Sequence, residues 1–171
     1  MNVVLIGYRG SGKTTVGRKL ADRLWQKFYD VDDLIVKNAG QSIREIFEHH
    51  GEEHFRDLET AALRQLLQIP DYVLGLGGGT LGREQNRTLL RASARKIFYL
   101  RCDPQVLLKR VQNDPNSADT RPNLTTLGGG IDEIRLKLAE REPIYRQVMD
   151  AEVDVTNLTP ADVVACIARM L

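Results

Sequence analysis

The chain holds only two cysteines, Cys102 and Cys166, too few for a disulfide scaffold and in no metal-ligand spacing. Both read as small apolar side chains. Excess charge is missing too. The 24 Lys and Arg set against 23 Asp and Glu leave a formal charge of +1, which gives no general attraction to nucleic acid or to an anionic membrane. Any anion must therefore be held by local groups. No apolar run approaches the roughly 18 residues of a membrane span, and the apolar stretch from Val3 to Ile6 is too short for the core of a signal peptide. The expectation is a cytoplasmic protein with no membrane or nucleic-acid partner. Repeats and low-complexity tracts are absent. The three histidines, His49, His50 and His54, make no metal spacing with a cysteine pair and read as solvated helix-end residues.

What is present is an ordinary globular composition, 42% hydrophobic and 27% charged over 171 residues, enough for one core and too short for two average domains. Periodicity predicts a strand over 2–6, then a helix from about Lys13 with Val16, Leu20 and Leu24 on one stripe. Trp25 and Phe28, flanking that stripe, read as core. Further strands are expected over 27–31, 72–76, 96–100 and 152–155, with helical patterns between and after them. This alternation predicts an α/β domain with a mostly parallel sheet of five strands covered on both faces, ligands gathering beyond the carboxyl ends of the strands. Residues 113–130 hold two prolines, a glycine triplet and no periodicity. They read as either a lid or a disordered insertion, and the presence of Arg121 favours a lid, with Gly128 to Gly130 as its hinge.

Gly7-Tyr8-Arg9-Gly10-Ser11-Gly12-Lys13-Thr14 fits G-x4-G-K-S/T between a strand and a helix, the setting of a phosphate-binding P-loop. The glycines let successive N–H groups point at phosphate oxygens, and the helix N-terminus adds a favourable dipole. Lys13 would reach the β- and γ-phosphates and the Thr14 hydroxyl would bind Mg²⁺. No lysine stands in a guanine-reading Asn-Lys-x-Asp motif, which favours a phosphotransferase over a GTPase switch.

Such an enzyme needs an acceptor side. Asp30-Val31-Asp32 falls at the end of the second strand, where a period of two puts both carboxylates on one face. One could position Mg²⁺ through water while the other accepts a hydroxyl proton. The alternative is a turn, with Asp33 as a helix N-cap. Arg56 opens a helix over 55–69 with Glu59 one turn later. It is either a grip for an anionic acceptor or half of a surface ion pair. Arg141 lies in the apolar stripe Ile131, Ile134, Leu138, Tyr145 and Val148 and should face inward, against a buried carboxylate of the protein or a ligand anion. Pro143 should kink or restart that helix. Gly77-Gly78-Gly79 follows the third strand, where bare backbone admits a ligand or simply turns.

With these residues in view the chain resembles the shikimate kinases, of the P-loop nucleoside monophosphate kinase fold, over nearly its whole length. The resemblance rests on Gly-Ser-Gly-Lys-Thr-Thr at 10–15, Asp30-Val31-Asp32, Ser42-Ile43-x-x-Ile46-Phe47, Gly51-Glu52-x-x-Phe55-Arg56-x-x-Glu59, Gly77-Gly78-Gly79, Arg121-Pro122 and Arg141-x-Pro143-x-Tyr145. It implies a single domain over 1–171, a three-layer α/β/α sandwich around a five-stranded parallel sheet, with an acceptor-binding helical region at 33–60 and a lid at 113–130. The activity implied is phosphorylation of the 3-hydroxyl of shikimate by ATP with Mg²⁺, by a monomer. Gly10, Ser11, Gly12, Lys13, Thr14 and Thr15 would hold the nucleotide, and Thr14 and Asp30 the metal. Asp32 would bind ring hydroxyls of the acceptor and act as base, with Lys13 and Arg121 assisting catalysis. Arg56 and Arg141 would clamp the carboxylate, beside Gly77, Gly78 and Gly79. Arg110 would stack on adenine, with Pro160 on its other face. The chain departs from the family at Asn123, where the lid usually reads Arg-Pro-Leu-Leu, at Gly75, where a hydroxyl is common, and at Leu158, where some members carry arginine. Alternatives are a related kinase, such as one for gluconate, or a non-catalytic ATP-binding module.

Overall fold

The computed structural model describes residues 1–92, 95–114 and 130–171, so most of the expected lid, including Arg121, lies outside the described residues. Five strands form one parallel sheet: β1 (Val3–Ile6), β2 (Lys27–Asp30), β3 (Tyr72–Gly75), β4 (Lys96–Arg101) and β5 (Ala151–Asp154), in the order β2-β3-β1-β4-β5. All five match the expected strands to within two residues at either end. The helices are α1 (Lys13–Leu24), α2 (Val31–Ala39), α3 (Ile43–Leu66), α4 (Glu84–Arg91), α5 (Pro104–Gln112), α6 (Ile131–Val148) and α7 (Pro160–Met170).

β1 shows why the sheet is covered twice. Its four residues, Val-Val-Leu-Ile, are all buried, and alternation sends Val4 and Ile6 to one face and Val3 and Leu5 to the other. On the first face they join Ile35 of α2, Leu63 and Leu66 of α3, Leu90 of α4 and Tyr145 of α6. On the second they meet Val16 and Leu20 of α1, Leu107 of α5 and Ile167 of α7. The three layers are the two helical coats and the sheet between them. β1 lies in the middle, flanked by β3 and β4, so the chain leaves it in opposite directions and opens a crevice at the carboxyl ends of the strands.

The structure corrects two local expectations and narrows a third. Trp25 is not core: it is 96% exposed. It ends α1 in the left-handed conformation, φ 55°, with its N–H bonded back to Ala21 and Asp22, and that turn throws the indole into solvent. Phe28 does pack inward, its ring lying against the bare Cα of Gly17 on α1. The helix expected over 55–69 is the second half of α3, which begins at a Ser42–Glu45 capping box and is broken at Gly51, φ 81° and ψ 174°. Arg56 therefore follows the break and does not open a helix. Of the two outcomes expected at Pro143, a restart does not occur, since α6 runs from Ile131 to Val148 with Pro143 inside it. Cys102 is buried and both cysteines are free. Among the described residues no helix is long and apolar enough to cross a membrane.

Candidate active site

The loop after β1 folds as its glycines allow. Gly10 and Gly12 have φ of 82° and 91°, values a side chain would resist, and they wrap the backbone into a cradle. No side chain caps α1 and no acidic residue sits in its first turn, which leaves the helix N-terminus open to an anion. Ser11 is buried, and its Oγ has no hydrogen-bond partner among the described residues, as a group awaiting a phosphate oxygen would be. Lys13 folds over the loop, its Nζ donating to the carbonyls of Gly7 and Tyr8 at 2.9 Å each.

Asp30 stands beside this cradle. The Thr14 hydroxyl donates to its Oδ2 at 3.2 Å, and its Oδ1 accepts the Asp32 N–H at 3.0 Å. This corrects the expected geometry: β2 ends at Asp30 and α2 starts at Val31, so Asp30 and Asp32 do not share a strand face. Asp30, not Asp33, is the N-cap, and Asp32 and Asp33 occupy the first helical turn. Burial, then repulsion from Asp32 and Asp33, pushes the Asp30 carboxyl up to about 6. That crowding fits a divalent cation, whose charge would relieve it. Among the described residues no group of three His, Cys, Asp or Glu could hold a metal by itself. The donor set present, one hydroxyl and one carboxylate beside a phosphate cradle, suits Mg²⁺, which keeps waters and leans on phosphates.

The acceptor side is built from α3, α6 and the glycines after β3. A Cβ placed on Gly79 would lie 2.6 Å from Arg56 Nη1, and one on Gly78 would lie 2.9 Å from Arg141 Nη1. Two guanidinium groups thus converge on adjacent bare residues. Arg56 donates to Glu59 at 2.6 Å and to Glu52 at 2.9 Å. The surface-pair reading fails here, because Glu59 is fully buried and also accepts the Thr80 hydroxyl at 2.7 Å. For Arg141 the inward orientation holds, but no carboxylate meets it among the described residues. Its guanidinium lies over the Tyr8 ring, 5.6 Å from the centroid. The Tyr145 hydroxyl donates to the Gly78 carbonyl at 2.7 Å. Thr80 gave no sequence signal, and Tyr8 and Tyr145 looked like a loop residue and a stripe residue.

A single cleft of about 1120 Å³ joins Gly10 to Thr15, Asp30, Asp32, Asp33, Gly77 and Gly78 with Arg110 and Pro160. It is large enough for a nucleotide and a small acceptor together. Arg110 donates to the Gly10 and Val155 carbonyls at 3.4 and 3.2 Å, which ties α5 to the cradle.

A parallel sheet with a P-loop at its central strand, an acidic cluster beside it and an arginine pair packed on the glycines after β3 defines a P-loop small-molecule kinase. A family model described as shikimate kinase matches residues 9–171. Shikimate kinase of Neisseria gonorrhoeae is 42% identical over 155 residues, covering 91% of this chain and 88% of that protein. That of Rhodopirellula baltica is 40% identical over 156 residues, covering 91% and 82%. Among solved structures, shikimate kinase from Acinetobacter baumannii in complex with shikimate superposes with a TM-score of 0.90 at 32% identity, covering 99% of this chain and 91% of that one. The enzyme from Aquifex aeolicus gives 0.80 at 32% identity, with 99% and 95% covered. The chain belongs to the shikimate kinase family. Membership carries the activity of the family, phosphorylation of shikimate by ATP.

Proposed function

We propose that this chain transfers the γ-phosphoryl group of ATP to the 3-hydroxyl of shikimate, giving shikimate 3-phosphate and ADP. The observation that supports this most is the convergence of Arg56 on Gly79 and of Arg141 on Gly78, with Gly78 itself lining the cleft that also holds the phosphate loop. Two guanidinium forks suit a carboxylate, and shikimate has one. Gluconate has one as well, but a gluconate kinase would share the P-loop without needing two arginines so spaced. A binding-only module would need no acceptor-side base.

In this reading Gly10, Ser11, Gly12, Lys13, Thr14 and Thr15 hold the triphosphate, with Arg110 and Pro160 on either side of adenine. Thr14, with Asp30 acting through water, would hold Mg²⁺, which would supply charge neutralisation to the phosphates. Gly77, Gly78 and Gly79 bring bare backbone to the acceptor. Asp32 takes the proton of the attacking hydroxyl, its oxygen bonds to the γ-phosphorus, and the bond to the ADP oxygen breaks in line. Lys13 and Arg121 stabilise the charge spread over the transferring group. Residues 33–60 carry the acceptor, 113–130 close over the phosphates, and the single domain works as a cytoplasmic monomer, with no nucleic-acid or membrane partner.

The test is ADP release by the purified protein with ATP and Mg²⁺, alone, with shikimate, and with gluconate. Release that requires shikimate and is absent with gluconate supports the proposal. ATP binding without release in the presence of shikimate overturns it.

A further inference from the structure

Arg141 raises a physical question that the carboxylate clamp leaves open. A guanidinium facing inward from an apolar stripe is costly without a partner, yet among the described residues it meets no carboxylate before the acceptor arrives. Arg56 differs, since Glu59 and Glu52 hold it in place. What Arg141 has is an aromatic face. Tyr8 is 4% exposed, and its ring centroid lies 5.6 Å from Arg141 Cζ, within the range of a cation–π contact. Burial pushes the Tyr8 phenol up, which keeps the ring neutral beneath the cation. The guanidinium is bounded on another side by the Cα of Gly78, whose carbonyl Tyr145 fixes. Tyr8 is itself anchored, because its carbonyl accepts from Lys13 Nζ at 2.9 Å and from the Ser11 N–H at 3.2 Å.

We infer that Tyr8, a residue of the phosphate loop, is a positioning residue for the acceptor site, its ring holding the Arg141 guanidinium in the orientation that receives the acceptor carboxylate. The inference rests on the reading of Arg141 as a carboxylate ligand. Tyr8 does not line the cleft that holds the phosphate loop, and it acts through Arg141. The competing account is that Tyr8 is only packing, one more member of the apolar cluster between β1 and α6.

The two accounts separate in a double-mutant cycle. Shikimate binding is measured by calorimetry for the full chain and for Tyr8→Phe, Tyr8→Leu, Arg141→Ala and the Tyr8→Leu/Arg141→Ala pair, with the KM for ATP determined alongside. Tyr8→Leu should weaken shikimate about five- to tenfold, the size of a partly desolvated cation–π contact. Tyr8→Phe, which keeps the π face, should restore affinity to within about twofold. The paired variant should bind no more weakly than Arg141→Ala alone, and the KM for ATP should stay within about twofold throughout. Additive losses, unchanged affinity in Tyr8→Leu, or a parallel loss of nucleotide binding would each overturn the inference in favour of packing. Wild-type shikimate affinity in Arg141→Ala would instead sink the carboxylate reading on which it rests.

Discussion

The guanidinium of Arg56 stands against the bare Cα of Gly79, so close that a Cβ there would sit 2.6 Å from Nη1. Gly79 has φ of −102°, a backbone that alanine adopts without strain. Gly79→Ala should therefore fold normally while pushing the guanidinium aside. The kcat/KM for shikimate should fall about ten- to hundredfold, as misplacement by about 1 Å implies, with the KM for ATP unchanged. Equal kcat/KM in variant and wild type would show that the glycine is only a turn.

Glu59 is the anchor behind Arg56, fully buried between it and Thr80. Glu59→Gln keeps an acceptor for the Thr80 hydroxyl and deletes the charge. Stripping one partner from a buried pair should cost about 2–4 kcal/mol, together with a raised KM for shikimate. Denaturant unfolding and steady-state kinetics on the same preparation check both.

For Asp30 the direction follows from burial and two like charges, which favour its protonated form in the folded chain. A carboxyl raised to about 6 contributes stability below the ordinary aspartate pKa of about 4 and loses it as pH climbs through 6. Asp30→Asn keeps the cap on the Asp32 N–H and removes the penalty. Without nucleotide or Mg²⁺, the variant should exceed wild type by about 1–3 kcal/mol at pH 7.5, and the gap should shrink at pH 5. A gap independent of pH contradicts this account.

Arg95 presents a similar cost at the opposite end of the sheet. Its three guanidinium nitrogens are out of solvent with no hydrogen-bond partner among the described residues, as is the Tyr72 hydroxyl nearby. Replacing an uncompensated buried charge with an apolar side chain of similar length is neutral or stabilising. Arg95→Met should leave Tm unchanged or raise it by a few degrees, with kcat intact. A drop of several degrees in a thermal melt would reveal a partner for the guanidinium.

Asp32, in the first turn of α2 and lining the cleft, is the base in the proposed reaction. Asp32→Asn is isosteric and cannot take the proton, so kcat should fall about a hundredfold or more. Single-turnover ADP formation measures the step directly.

The phosphate loop was fully legible in the sequence, because its function lies in backbone that eight consecutive residues determine. So were the three inner strands, since a sheet buried on both faces demands apolar runs such as Val3 to Ile6. The inward turn of Arg141 followed from helical period alone. Trp25 was misread because a stripe says which residues share a face and not where the helix stops. The Asp30–Asp32 spacing was misread for a related reason: the period changes from 2 to 3.6 at Val31, and Asp30, the N-cap that marks the place, is also the last residue of the strand.

Long-range neighbours were decided only by the fold. Arg56 packs on a glycine 23 positions away in the chain, and Arg141 rests on Tyr8 of the first loop. Sequence period fixes the direction of a side chain on its own element. What that side chain meets depends on how helices from both coats of the sheet close over one crevice, and that is settled by packing.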